Sequence, residues 1–405
     1  MGLQREMSPV TSRRDGEPDV VPRFWKQGYA RDFVDQRRRW IEERTNISLS
    51  HIGACSLDTE QLRGNIENPI GTVQIPLGVA GPLCVKGEHA QGTFYIPLAT
   101  TEGALVRSYE RGMLAITRAG GAEVRIAVNE NHGSPVFTCD DVASAHKLTR
   151  FIAENFTRLK VEAERTTSHG KLLRVATRLI GRDAVVDFVF FTADAHGMNM
   201  ISKATDKACK WIQRNFPVRT CYILSGGCSE KRASGMLFAG GKGKHVTAGV
   251  QMSRHLTMTY LHVTPSRITD MWHRTILSQT ATGVVGYNGH LANGLTALFI
   301  ACGQDVANVT NSAVGLTSME VTDGGDLYAS VTLPSLVVAT VGGGTGLGTG
   351  AECLEMLGCR GEGGAVKLAE IATATALAGE LSFGAALATD EFVNAHETYG
   401  RNRPK

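Results

Sequence analysis

From Leu291 to Met319 the chain carries a single charged residue, Asp305, and its apolar and small residues fall on every helical face. A helix that is hydrophobic all round belongs in a protein core. Running unbroken, this one would be about 40 Å long and would organise a large domain, with one carboxylate midway along it. Asn293, Gln304, Asn308 and Asn311 make the stretch too polar for a membrane span. Asp305 then has two readings. It is an ion-paired structural residue, or a catalytic carboxylate tuned by burial and a cationic partner.

Elsewhere the pattern is mixed. Met1 to Pro22 is polar and reads as an arm. Ala30 to Asn46 predicts a charged helix with a solvated face, ended by Thr45-Asn46. Pro69, Pro76 and Pro82 forbid helix over Asn65 to Leu83, and the Val and Ile residues between them favour extended strand. After a strand over GTFYIPLAT, Thr100-Thr101-Glu102-Gly103 opens a helix that reaches Arg118. Glu102 would lie in its first turn, as a capping residue or as a functional one. Residues 134–222 alternate strands (VVDFVFFTA, VRTCYIL) with amphipathic helices near 140–160 and 198–214. That pattern predicts a small α+β domain inserted in a larger one. Ala365 to Ala388 is Ala-rich and mostly helical. The boundaries expected are an arm and helix over 1–50, a large domain over 51–133 and 223–405, and the insert over 134–222.

The chain has 405 residues, 42% hydrophobic and 20% charged, as in an ordinary soluble globule of about two domains. A net charge of +3 is too small to argue for nucleic acid. Nine cysteines are dispersed without a CxxC pair, which predicts reduced thiols in a cytoplasmic protein. No apolar run is long enough for a membrane span, and no metal is expected.

Candidate chemistry sits in short segments. The turn Asp194-Ala195-His196-Gly197-Met198-Asn199 lies between a strand and a helix, where backbone amides can hold phosphate. In SGGCSEKRASGMLFAGGKGK, Lys231 lies between Glu230 and Arg232, as a surface charge cluster or as an active cation. Gly342-Gly343-Gly344 allows close approach of a ligand or simply closes a tight loop.

Together, ENPIG, PLGVAGPL, PLATTEG, DAHGMNM, ACGQD, VGGGTGL, AGELS and AHETYGRN stand in the order found in 3-hydroxy-3-methylglutaryl-CoA reductases. The chain resembles that family from about residue 45 to its C terminus. Without the membrane anchor of animal forms, it resembles the soluble prokaryotic type. The resemblance implies an α+β fold: a large domain around a long central helix, with a small ferredoxin-like dinucleotide-binding domain inserted. It implies a homodimer or dimer-based oligomer with the active site between subunits, and ENPIG resembles the interface element. It implies reduction of the CoA thioester to mevalonate by two hydride transfers. NADPH is the expected cofactor, with NADH left open.

By the same resemblance Lys231 meets the carbonyl oxygen as it gains charge, and Asp305 keeps that lysine charged. Glu102 donates a proton, and His396 protonates the departing thiolate. Ser225, Arg111 and Arg232 would lie near the acyl group. Asp194, Ala195, His196, Gly197, Met198, Asn199, Gly342, Gly343, Gly344 and Arg401 would hold the dinucleotide.

The departures gather at acyl recognition. Gly133 stands where the family carries an Arg that pairs with the substrate's free carboxylate. Glu110 replaces an Asn, Glu230-Lys231-Arg232 replaces Asp-Lys-Lys, and Gly348 and Gly350 replace a Pro and a Gln. If the substrate is the family's, another cation must meet its carboxylate, with Arg232 or Arg125 as candidates, and Gly133→Arg should lower KM. A paralogue acting on a different thioester and a non-catalytic binding protein are the alternatives. The intact Glu102, Lys231, Asp305 and His396 weigh against the last.

Overall fold

The structure is a computed structural model that describes residues 21–24 and 27–389. The charged helix α1 (Arg31–Thr45) stops at Asn46, which takes the left-handed conformation at φ 52°. Its basic face is not wholly solvated. Arg37 is buried, and its guanidinium donates to the carbonyls of Pro22, Gly28 and Pro69. A one-turn helix α2 (Ser50–Gly53) follows. The proline-rich stretch forms a strand ladder only from Leu77, so the strand expected from Asn65 begins twelve residues late. Strand β1 (Leu77–Lys86) pairs antiparallel with β2 (Gln91–Ala99), with a register shift between Ala80 and Leu83 that accommodates Pro82.

Helix α3 (Leu105–Arg118) starts after Ala104, so Glu102 precedes the helix and does not lie in its first turn. Strand β3 (Ala122–Gly133) is shared between two sheets. Its stretch from Glu123 to Glu130 pairs with β8 (Gly243–Met252) of the larger sheet. Its last three, Asn131 to Gly133, pair with β6 (Asp183–Phe191) of the smaller one. That smaller sheet also holds β4 (Val136–Thr138), β5 (Lys171–Ile180) and β7 (Thr220–Tyr222). The pairing order β7-β4-β6-β5, all antiparallel, is that of a split β-α-β-β-α-β unit. Two short helices, α4 (Val142–Glu154) and α5 (Phe156–Glu164), replace the single one expected near 140–160 and break at Asn155. With α6 (Met198–Asn215) they enclose a separate apolar core around Phe137, Leu148, Phe188, Phe190 and Ile201.

The larger sheet is completed by β9 (Leu316–Val321) and β10 (Leu327–Leu336). Around it lie α7 (Arg254–Leu261), α8 (Pro265–Thr282), α9 (Leu291–Ala301), α10 (Val309–Ser312), α11 (Gly348–Met356) and α12 (Gly364–Ala388).

The central helix exists, but it is α12 and not the segment 291–319. α12 is buried along 21 of its 25 residues. By length and composition it could cross a membrane, yet 89% of its most apolar window is covered by the rest of the protein. Small residues let neighbours approach. A Cβ on Gly112 of α3 would fall 1.9 Å from the Ala378 carbonyl oxygen, so the helices cross backbone to backbone there. Two buried glutamates of α12 bind loops by their amides. Glu370 accepts from Glu88, His89 and Ala90 N–H at 3.0, 2.9 and 2.6 Å, fixing the β1–β2 turn. Glu380 accepts from Gly289 N–H, His290 N–H and Thr317 Oγ1 at 2.6–2.7 Å, fixing the entry to α9.

The expected 291–319 helix ends after eleven residues. Gly303, at φ 63°, closes α9, with Gln304 N–H on the Phe299 carbonyl at 2.8 Å and Gly303 N–H on that of Ile300 at 3.4 Å. This is the glycine-terminated stop that satisfies the last carbonyls. An apolar run read by period alone gives no boundary, because buried segments of several kinds share it.

Candidate active site

The break after α9 places Asp305. Its side chain caps the one-turn helix Val306–Asn308 through Ala307 N–H at 3.2 Å. It is 43% exposed, not buried as expected. Its other oxygen lies 2.7 Å from Lys231 Nζ, and the lysine is 44% exposed. Lys231 sits at φ 55°, and its N–H donates to Asn311 Oδ1 at 3.3 Å. Asn311 is fully buried and donates onward to the Ser335 carbonyl on β10 at 3.1 Å. The loop carrying the cation is thus pinned to the central sheet by an asparagine that the sequence reading had not singled out.

Glu102 is held elsewhere. Its N–H donates to Thr100 Oγ1 at 3.0 Å, and its carboxylate accepts from Asn293 Nδ2, on the first turn of α9, at 2.9 Å. Among the described residues no hydrogen bond or ion pair joins this pair to Lys231–Asp305 within one chain. His396 and Arg401 lie outside the described residues.

Of the expected acyl contacts, Ser225 Oγ donates to the Ser134 carbonyl at 2.6 Å, and Gly227 N–H donates to Ser225 Oγ at 3.2 Å. Arg232 donates to the Glu230 carbonyl at 3.0 Å. Arg111 instead ties α3 to α12, donating to Ser382 Oγ at 3.0 Å and to the Ser382 carbonyl at 2.7 Å. Gly133 points into the small core. A Cβ there would meet Ile201 Cγ2 and Thr205 Oγ1, each at 3.1 Å.

The turn at 194–199 joins the two sheets. Asp194 accepts from Gly363 and Ala365 N–H at 3.0 and 2.9 Å, so its carboxylate caps the central helix. Ala195 bridges to Val341, which sets the turn beside Gly342. Gly197, at φ 79°, starts α6 without a side-chain cap, leaving that helix N-terminus open. Asn199 is exposed on its first turn, while Met198 Sδ lies 3.6 Å from Lys242 Nζ. A Cβ on Gly342 or Gly343 would enter open space, whereas one on Gly344 would fall 2.7 Å from the Gly303 carbonyl oxygen. Gly344 therefore serves packing. Gly342, Gly343 and the open α6 terminus fit the phosphates of a dinucleotide.

Two buried lysines were missed. Lys242 pairs with Glu230, the residue before Lys231, and Lys244 donates to the Val338 carbonyl at 3.1 Å. Burial pulls each ammonium down to about 8. The GGKGK run looks like a surface cluster in sequence, and only the strand pairing of β8 buries it.

His196 Nε2 lies 3.3 Å from Glu230 Oε1. Burial, then Lys242, lowers its imidazolium to about 4. The unfolded chain takes up this proton near pH 6.5 and the folded one near 4. The stability associated with neutral His196 is complete above pH 6.5 and is lost as pH falls through about 4. A shift of this size corresponds to at most about 3 kcal/mol. Urea midpoints measured from pH 7 to 4.5 should fall, and His196→Gln should flatten part of that fall. An equal slope in the variant would exclude His196 as a source.

A profile of the hydroxymethylglutaryl-coenzyme A reductase family matches residues 33–401. The 3-hydroxy-3-methylglutaryl-coenzyme A reductase of Methanocaldococcus jannaschii is 44% identical over 90% of this chain and 92% of its own length. That of Methanothermobacter thermautotrophicus is 42% identical over 90% and 92%. Among solved structures, the class II enzyme from Streptococcus pneumoniae bound to NADPH superposes with a TM-score of 0.68 at 19% identity. It covers 89% of this chain and 99% of that one. At that identity the likeness is one of fold.

Proposed function

This chain belongs to the hydroxymethylglutaryl-coenzyme A reductase family, and we propose how its residues carry the family's reduction of 3-hydroxy-3-methylglutaryl-CoA to mevalonate and free CoA. The observation that carries the reading is the Lys231–Asp305 pair at 2.7 Å, on a loop pinned by buried Asn311. As the thioester carbonyl is reduced, its oxygen gains negative charge, and the Lys231 ammonium stands ready to stabilise it. Asp305 holds that ammonium in position. Glu102, oriented by Asn293, delivers the proton that completes reduction at the aldehyde stage. His396 is assigned the proton for the leaving thiolate.

NADPH, when bound, supplies hydride for both steps. The open N-terminus of α6, with Gly342 and Gly343, holds its phosphates. Arg401 is assigned to the same cofactor.

We assign the site to the interface of a homodimer. Two observations support this: among the described residues Glu102 has no link to Lys231 within one chain, and an apolar strip is exposed beside ENPIG. Val73 is 82% exposed, and Leu77, Val79 and Tyr95 are each more than half exposed. Such a patch marks an association surface. Glu102 of one copy would then serve Lys231 of the other.

The test follows cofactor absorbance with 3-hydroxy-3-methylglutaryl-CoA and NADPH. Wild type should oxidise NADPH, and absence of turnover would overturn the substrate assignment. Glu102→Ala and Lys231→Ala should each be inactive alone. Denatured together and refolded, they should regain roughly a quarter of wild-type activity, because half the dimers are mixed and each holds one intact site. No recovery would place both residues in one copy's site.

A further inference from the structure

We propose that Arg178 is the cation that receives the free carboxylate of the acyl group, and that Asp187 and Ser134 position it. This rests on the reading of the site as a thioester reductase.

The loop from Ser225 to Lys242 arches over β5 and β6 and encloses a cavity of about 220 Å³. Cys228 and Ser229 line it, and Lys231 follows two residues later on the same loop. Drug-sized pockets run to roughly 300–1,000 Å³, so this space suits a short acyl group and not a nucleotide.

Three basic side chains, Arg174, Arg178 and Lys242, border the cavity. Arg174 gives both terminal nitrogens to Glu130. Lys242 is buried against Glu230. Arg178 differs. Its Nη2 lies 3.0 Å from both oxygens of Asp187, and among the described residues Nη1 meets only Met236 Sδ at 3.8 Å, a weak acceptor. A guanidinium carries five donors in a fixed fork, and half-engaged it keeps capacity for a second carboxylate. Ser134 Oγ donates to the same Asp187 oxygen, so the orienting carboxylate is itself held.

Position agrees with chemistry. A Cβ on Gly227 would lie 3.3 Å from Arg178 Nη2 and 3.2 Å from Ser225 Oγ. The bare glycine therefore leaves a gap in which guanidinium and hydroxyl converge. The other candidate cations do not line this cavity. Arg125 donates to the Lys86 carbonyl at 2.9 Å on the far part of β3, and Arg232, whose guanidinium lies 3.7 Å from a Cβ on the neighbouring Gly226, gives Nη1 to the Glu230 carbonyl. Position 133 faces α6.

Arg178→Met should raise KM for 3-hydroxy-3-methylglutaryl-CoA by roughly 10–100-fold, the loss of one charged hydrogen-bonded contact. kcat and KM for NADPH should stay within about threefold, since uniform binding is what is removed. Arg178→Lys should recover part of the affinity. Arg178→Gln keeps a donor for Asp187 and guards against misfolding of the Met variant, and its KM should also rise. Calorimetry of thioester binding without NADPH runs in parallel. A wild type that binds the thioester but does not turn it over refutes the reaction and still reads Arg178 through binding. A wild type that turns over, with unchanged affinity in Arg178→Gln, refutes Arg178 alone. A wild type that neither binds nor turns over refutes both.

Discussion

Lys231→Ala is expected to lower kcat for thioester reduction by about 10²–10³-fold, the usual effect of removing one donor from a developing oxyanion, roughly 3–4 kcal/mol. The urea midpoint should stay near wild type, because the side chain is 44% exposed and its one ion pair is a surface pair. Asp305→Asn separates charge from structure. An asparagine still caps the turn at Val306–Asn308, so stability should hold while kcat falls. The comparison therefore reports on the carboxylate charge that positions the ammonium. Near wild-type kcat in Lys231→Ala would remove the residue from the chemistry. Full activity in Asp305→Asn would leave Asp305 as a cap only.

Gly133→Arg is expected to unfold the smaller sheet, the reverse of its expected effect from sequence. As a string, Gly133 stands where a carboxylate-binding Arg belongs, and restoring the cation should lower KM. In the fold it pairs with Phe188, and its Cβ direction runs into Ile201 and Thr205, both essentially without solvent contact. An arginine there must bury its charge between sheet and helix or force them apart. Either should cost more than about 3 kcal/mol. Gly133→Ala needs only a few tenths of an ångström of relief and should cost about 1 kcal/mol. Chemical denaturation of both variants, followed by near-ultraviolet dichroism, checks the ranking. A Gly133→Arg protein with wild-type stability and lower KM would place that side chain in the acyl site after all.

These cases show what the sequence made legible. The motifs located Lys231, Asp305 and Glu102 because each chemical role demands a residue type at a marked place. They did not give surroundings. Asp305 reads as buried in an apolar run, and Gly303 exposes it by ending α9. Gly342, Gly343 and Gly344 are equal in sequence, yet only the third faces the Gly303 backbone. Arg111 reads as a ligand for an acyl group, and the fold also ties it to Ser382, 271 residues away on another helix. Arg178 escaped notice since a lone Arg on a half-exposed strand has no signature until Asp187 stands diagonally across the ladder from it. Pairing, and the direction of a side chain from its strand, are long-range facts that local pattern does not encode.

Glu370 and Glu380 sit ten residues apart on α12, one gripping the β1–β2 turn and the other the entry to the helix that presents Asn293. Inserting one residue between them would rotate the second grip by about 100° and advance it about 1.5 Å. Neither loop could follow without breaking its amide bonds. The rod is thus a ruler graded in single residues, fixed in length. The loop from Ser225 to Lys242 is bound by no such helical phase. A lineage built on this scaffold has its freedom to take new acyl groups there, while the ruler keeps the spacing of everything that must remain.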